Sequence, residues 1–241
     1  MSINRQIVLT SLLLIFTVIF FGMTKIDIMV QNIFFDNSNQ TWILDRNLQP
    51  YKFIFYDGIK KLLIFVALSF LMILIFLRKN SIIKNYKKGL LLVVLSAICI
   101  PLTIGALKKA TNMPCPKNEI HYGGIYPSSK VWEHYPKEFK QPSSIKCFPA
   151  GHASGGFALL SLFFLFKRRR NKILALIGAL TIGGSMGLYK MFIGDHFLSH
   201  TLLTMIIAWL IVLIIQKIVN RNDTIHKKLF KGTHACSKKT F

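Results

Sequence analysis

Acidic residues are what this sequence has least of: 9 Asp and Glu in 241 positions, against 31 Lys and Arg, for a formal charge of +22. Charge of either sign is nearly missing from several long stretches of Leu, Ile, Phe and Val, and hydrophobic residues make up 52% of the chain. About 20 such residues cross a bilayer's hydrocarbon as a helix. These runs therefore exclude an ordinary soluble protein, and the length fits one domain. The first run, 7–23, is too long for a signal peptide and lacks a clear small-residue cleavage site, so it reads as a retained helix. A surplus of Lys and Arg is compatible with nucleic-acid binding, but here the basic residues fall between the apolar runs. Anionic lipid headgroups and membrane orientation account for that placement, and no nucleic-acid partner is expected.

Six spans are expected, at about 7–23, 62–77, 89–107, 152–166, 173–193 and 199–218. The fourth is short, and its Gly155 and Gly156 read as small residues permitting close helix packing. RKNSIIKNYKK separates the second and third spans, and KRRRNK the fourth and fifth, with five basic residues in each and no acid. A tail after the last span adds Lys217, Arg221, Lys227, Lys228, Lys231, Lys238 and Lys239. Basic connections stay in the cytoplasm, so both termini belong there, while eight of the nine acids (all but Asp223) fall in the opposite segments. The expected architecture is an all-α integral membrane six-helix bundle, residues 1–220, with a long periplasmic loop between helices three and four. Residues 221–241 follow as a basic cytoplasmic tail whose last ten residues read as disordered. A further outer segment, 24–61, carries Trp42, Tyr51 and several Phe and is expected along the membrane interface.

Polar residues gather where the spans meet the outer segments. Pro149-Ala150-Gly151-His152 leads straight into the fourth span. Unpaired N–H groups at such a helix start favour an anion, and Gly151 admits it closely. His152 there suits proton donation, or else is an interfacial His in an ordinary turn. Lys190 lies within an apolar span, which marks it as functional unless it snorkels to the surface. His196 and His200, four apart, share one helix face. That spacing suits a metal pair, or a nucleophilic imidazole steadied by its neighbour. Asp195 is the only local carboxylate and no third and fourth ligand is evident, so no metal or other cofactor is expected.

These stretches resemble the three motifs of the type 2 phosphatidic acid phosphatase superfamily: Lys-x6-Arg-Pro, Pro-Ser-Gly-His and Ser-Arg-x5-His-x3-Asp. This chain has Lys108-x6-Cys115-Pro116, then Pro149-Ala150-Gly151-His152, then Tyr189-Lys190-x5-His196-x3-His200. The resemblance implies a membrane lipid phosphatase with a phosphohistidine intermediate and no metal. By it, His196 is the nucleophile, His152 protonates the leaving oxygen, and Lys108, Lys190 and the amides around Ala150 and Gly151 hold phosphate.

Four positions depart from the pattern: Cys115 and Lys190 stand for Arg, Ala150 for Ser, and His200 for the Asp that orients the nucleophile. Lys190 keeps the charge but loses the bidentate fork. Lys109 and Lys146 are candidates to replace the lost Arg, and Asp195 or His200 to orient His196. A bacterial branch with Cys-Pro in the first motif and His-Phe-Leu-Ser-His in the third is similar.

The implied substrate is an anionic lipid phosphate or diphosphate, of the lipid A, undecaprenyl diphosphate or phosphatidylglycerol phosphate kind, met at the outer face of a bacterial inner membrane. The basic outer loop favours lipid A. A lipid phosphotransferase with the same intermediate, and a non-catalytic lipid-binding or transport protein, are the alternatives. Of four Cys, Cys99 lies in the third span and Cys236 in the tail, while Cys115 and Cys147 share the outer loop. An oxidising periplasm permits those two to bond over the site, and the sequence is equally compatible with free thiols.

Overall fold

A computed structural model describes residues 1–236, with side chains described through Arg221. It is all-helical apart from one two-residue hairpin. Five helices are long and apolar enough to cross a membrane, among the described residues. The first is α1, Ile3–Met23, whose start is capped by Ser2 accepting from the Arg5 N–H. A short α2, Ile26–Asn32, and strands β1, Phe35–Asp36, and β2, Thr41–Trp42, follow. A π-helical turn, Phe53–Gly58, runs directly into α3, Ile59–Phe76.

Helix α4, Ser81–Thr111, is capped by Asn80 and ends at Asn112, whose φ of 45° suits a residue that tolerates the left-handed region. Residues 112–150 contain two short 3-10 turns. Three pieces then follow in line: α5, Gly151–Ala158, a 3-10 turn, and α6, Leu162–Leu165. At 15 residues the Gly151–Leu165 segment is shorter than the five spans. At 1.5 Å per residue it rises only about 22 Å. Helices α7, Arg169–Phe192, and α8, Leu198–Cys236, complete the bundle. Beyond Arg221 the expected basic tail, including Cys236, lies outside the described side chains.

Helices α4, α5 and α8 supply most of a common core, with Leu92, Ile100, Ala153, Phe157, Ala208 and Val212 all buried. Within lipid, apolar burial gives no water-driven gain, so close van der Waals fit must hold helices together. The expectation for the glycines is met at Gly156. A Cβ there would stand 2.6 Å from the Gly183 Cα, so α5 and α7 touch backbone to backbone. Helix α3, by contrast, buries none of its residues and presents apolar side chains all round, as a lipid-facing helix does.

Residues 24–58 do not simply lie along the interface. They pack over the α7–α8 turn. The Gln31 amide donates to Met191 O at 2.8 Å, and Asp27 Oδ1 accepts from the Ser199 N–H at 2.8 Å, capping α8 from a distance. Phe35, Trp42 and Tyr122 enclose Phe197. Gly194 has φ +70° and a Cβ on it would meet the Trp42 ring at 2.3 Å, so both its conformation and its contact require glycine.

Candidate functional site

Chain direction alternates through the bundle, so the end of α4, the start of α5, the end of α7 and the start of α8 come to one pole. Lys108, Gly151 and His152, Lys190, and the pair His196 and His200 occupy those positions. A Cβ on Gly151 would lie 3.4 Å from Lys108 Nζ, so the ammonium stands beside the uncapped start of α5. Backbone donors, helix dipole and ammonium there all favour an anion.

The two third-motif histidines face each other with Nδ1 to Nδ1 at 3.4 Å. One ring must present a lone pair and the other a proton, so at most one of them is an imidazolium. His196 is 3% exposed and His200 fully buried. Burial, reinforced by His200, Lys108 and Lys190, holds the His196 pKa well below its usual value. In the tautomer whose Nδ1 donates to His200, a neutral His196 presents Nε2 as a lone pair.

The Asp195 carboxylate pairs with cations and not with His196. Its Oδ2 accepts from Lys190 Nζ at 2.9 Å, while Oδ1 takes Lys117 Nζ at 2.9 Å and the Arg46 guanidinium. Burial pushes its pKa up, but Lys190 and Lys117 together outweigh that and hold it below the usual carboxylate value. The carboxylate is therefore a counterion to three cations, and His200 is the neighbour hydrogen-bonded to His196.

Two of the residues expected to contact phosphate, Ala150 and Lys109, line neither of the cavities described below. The Ala150 N–H points inward, donating to Thr204 Oγ1 at 2.8 Å, and the residue is fully buried. An amide already satisfied internally is no phosphate donor. Lys109 and Lys146 are exposed, and neither lines those two cavities. Besides Lys108, a second cation comes from beside the first motif: Lys117, the residue after Pro116, pairs with Asp195 and is fixed by its own N–H donating to Gly194 O at 3.0 Å.

Cys115 and Cys147 are disulfide-bonded, with Cα atoms 5.2 Å apart. The bridge joins the first motif to the second and touches the third, since Cys147 Sγ lies 3.1 Å from Asp195 O. A bonded sulfur has no proton to donate, so this is a packing contact. Cys99, the third described cysteine, is free within α4. No group of three or more His, Cys, Asp or Glu among the described residues is arranged to hold a metal ion.

Two cavities of about 410 Å³ each meet at His152. One is apolar, opening between α3, α4 and α5 along Leu63, Ile64, Ala67, Ala97 and Pro101, and is topped by Lys60 and Lys108. The other is polar, with Arg46, Lys52, Tyr56, Lys190 and Asp195 among its walls. Tyr56 connects its parts: its ring lies 4.3 Å from that of His152, and Lys190 Nζ sits 4.2 Å over its face.

A family model described as the PAP2 superfamily matches residues 86–224, more than half of the chain. The chain belongs to the PAP2 superfamily. It is also similar to a protein named lipid A 4'-phosphatase from Francisella tularensis subsp. novicida (strain U112), 32% identical over 74 residues. That stretch is 31% of this chain and 33% of the relative, so it spans about a third of the relative's length. No solved structure matches the chain.

The PAP2 match begins inside α4, so Arg46, Tyr56 and Asp27 lie outside it, in a segment to which sequence reasoning assigned no role. One signal was present. Arg46 is the only arginine in the outer segments 24–61, 108–151 and 194–198.

Proposed function

We propose that this protein is a membrane phosphatase that removes phosphate from an anionic lipid through a phosphohistidine on His196. The observation that carries this reading is the meeting of His196, His152, Lys108 and Lys190 at one pole of a PAP2 chain, beside an uncapped helix start and between an apolar and a basic cavity. In the first step a lone pair on His196 attacks phosphorus, and the bond from phosphorus to the lipid oxygen breaks. His152 gives that oxygen its proton. Water then attacks the phosphohistidine, losing a proton to His152, and inorganic phosphate leaves with His196 restored.

Phosphoryl transfer asks for positioning and charge more than covalent chemistry. Lys108, Lys190 and the Gly151 and His152 amides supply both, and Nδ1 of His200 fixes the ring of His196. His196 is 3% exposed, so substrate reaches it only when neighbouring side chains move aside.

The remaining parts of the proposal concern placement. The Gly151–Leu165 helix supplies a short fourth span beside the five long ones, making six. Basic connections then put both termini in the cytoplasm and the site at the outer face of an inner membrane. The apolar cavity takes the start of an acyl chain, and the basic cavity suits a strongly anionic headgroup. Lipid A is the first substrate to try, in keeping with the name of the Francisella relative.

The test is phosphate release by purified protein from lipid A, undecaprenyl diphosphate and phosphatidylglycerol phosphate, with divalent cations chelated. We expect release by wild type, and loss of at least about 100-fold in both His196→Ala and His152→Ala. Unchanged release in both variants refutes the enzyme. Radiolabelled phosphate appearing on a second lipid instead of in solution identifies a transferase.

A further inference from the structure

We propose that Arg46, carried by the N-terminal segment outside the PAP2 match, is a phosphate-contacting residue of this site. It supplies the guanidinium that Cys115 and Lys190 do not. The inference rests on the reading that the pole holds a lipid phosphate.

Charge is the first argument. The walls of the basic cavity carry Arg46, Lys52 and Lys190 against Asp57 and Asp195, and Lys117 also sits on Asp195. The cations outnumber the carboxylates, which favours an anionic ligand. The second argument is how Asp195 is shared. Lys190 holds Oδ2 from within, with 8% of its side chain exposed. Lys117 and Arg46 both crowd onto Oδ1. Arg46 can therefore leave while Asp195 keeps two partners.

Arg46 is also the member best placed to leave. Half of its side chain is exposed, and its contact uses the single nitrogen Nη2. It lines the cavity it shares with His152 and Lys190. Its backbone is held separately, by the Tyr189 hydroxyl donating to Arg46 O at 3.3 Å, so the guanidinium can swing without the backbone following. An arginine fork matches two phosphate oxygens, which no lysine at the site can do. Asp195 thus parks the guanidinium until a stronger anion arrives.

The experiment uses purified full-length protein in detergent, with inorganic phosphate as the binding probe by thermal-shift titration and lipid phosphate for turnover. Arg46→Ala should weaken phosphate binding and raise KM by about 10- to 100-fold, the range of one or two charge-assisted hydrogen bonds. Its Tm without phosphate should hardly change, because a half-exposed ion pair contributes little. Arg46→Lys should recover only part of the affinity, and Lys140→Ala, an exposed cation of the outer segment, should match wild type.

Wild-type phosphate affinity in Arg46→Ala overturns the inference. Should that variant not fold, Arg46→Lys decides: a lysine still pairs with Asp195 but has no fork, so undiminished affinity there also overturns it. Protein that binds phosphate through Arg46 yet releases none from any lipid refutes the phosphatase and leaves the inference standing. Protein that turns over lipid with no loss in Arg46→Ala does the reverse.

Discussion

Replacing Asp195 by Asn keeps shape and one acceptor while removing the charge that three cations share. The consequence differs sharply between a residue that orients His196 and one that neutralises Lys190. Lys190 is the partner that matters, because its side chain is 8% exposed, against 30% for Lys117 and 50% for Arg46. Exposed pairs are worth about 0–1 kcal/mol each. Stripping the partner from a buried cation costs about 3–5 kcal/mol. Lys190 retains the Tyr56 ring 4.2 Å away and stands at the wet end of its helix, so the lower figure applies.

We expect Asp195→Asn to lose about 3 kcal/mol. At roughly 2–4 °C per kcal/mol for a chain of this size, Tm falls by about 6–12 °C. Inorganic phosphate should restore part of this loss, since the freed cations bind it more tightly. The assay is thermal unfolding in detergent with and without phosphate, beside turnover measured well below the lowered Tm. Turnover within about tenfold of wild type is expected. An unshifted Tm with turnover abolished would refute the reasoning and return Asp195 to the role of orienting His196.

Two further perturbations follow from the same geometry. Asp27 is half-buried while capping α8, and its desolvation raises its pKa from 3.8 to about 6 despite the bonds to Ser199. Because the folded value is the higher one, the contribution of Asp27 is fully present below 3.8 and is lost as pH rises through about 6, by about 3 kcal/mol. Asp27→Asn should keep the cap and flatten that decline. An unchanged pH profile of Tm in the variant would count against an Asp27 that titrates with a raised pKa. Removing the disulfide with Cys115→Ser and Cys147→Ser opens a loop of sequence separation 32, worth about 3–4 kcal/mol by loop entropy. It should also loosen all three motifs, so both Tm and phosphate affinity should drop. Loss of Tm alone would show that the bridge does not position the site.

What could be read along the chain concerned local and periodic facts. Apolar run length marked the five long helices, because the bilayer's thickness sets that length independently of any partner. Motif spacing marked Lys108, Gly151, His152, Lys190, His196 and His200, which do come to one pole. The short Gly151–Leu165 segment was harder to read, since glycines needed for backbone contact with α7 are also residues that weaken a helix.

Partnerships between distant residues were decided only by tertiary structure. Which way the Ala150 amide points depends on Thr204, 54 positions later. Whether Asp195 serves His196 or the lysines depends on Arg46, 149 positions earlier. Adjacency in sequence suggested the first, and three cations converging through folding produced the second. The scarcity of acids bears on this point. With only 9 carboxylates for 31 cations, charge composition alone required that some cations share a partner or await an external anion. Composition cannot name them, because Coulomb energy depends on distance and burial, and those exist only once the chain has folded.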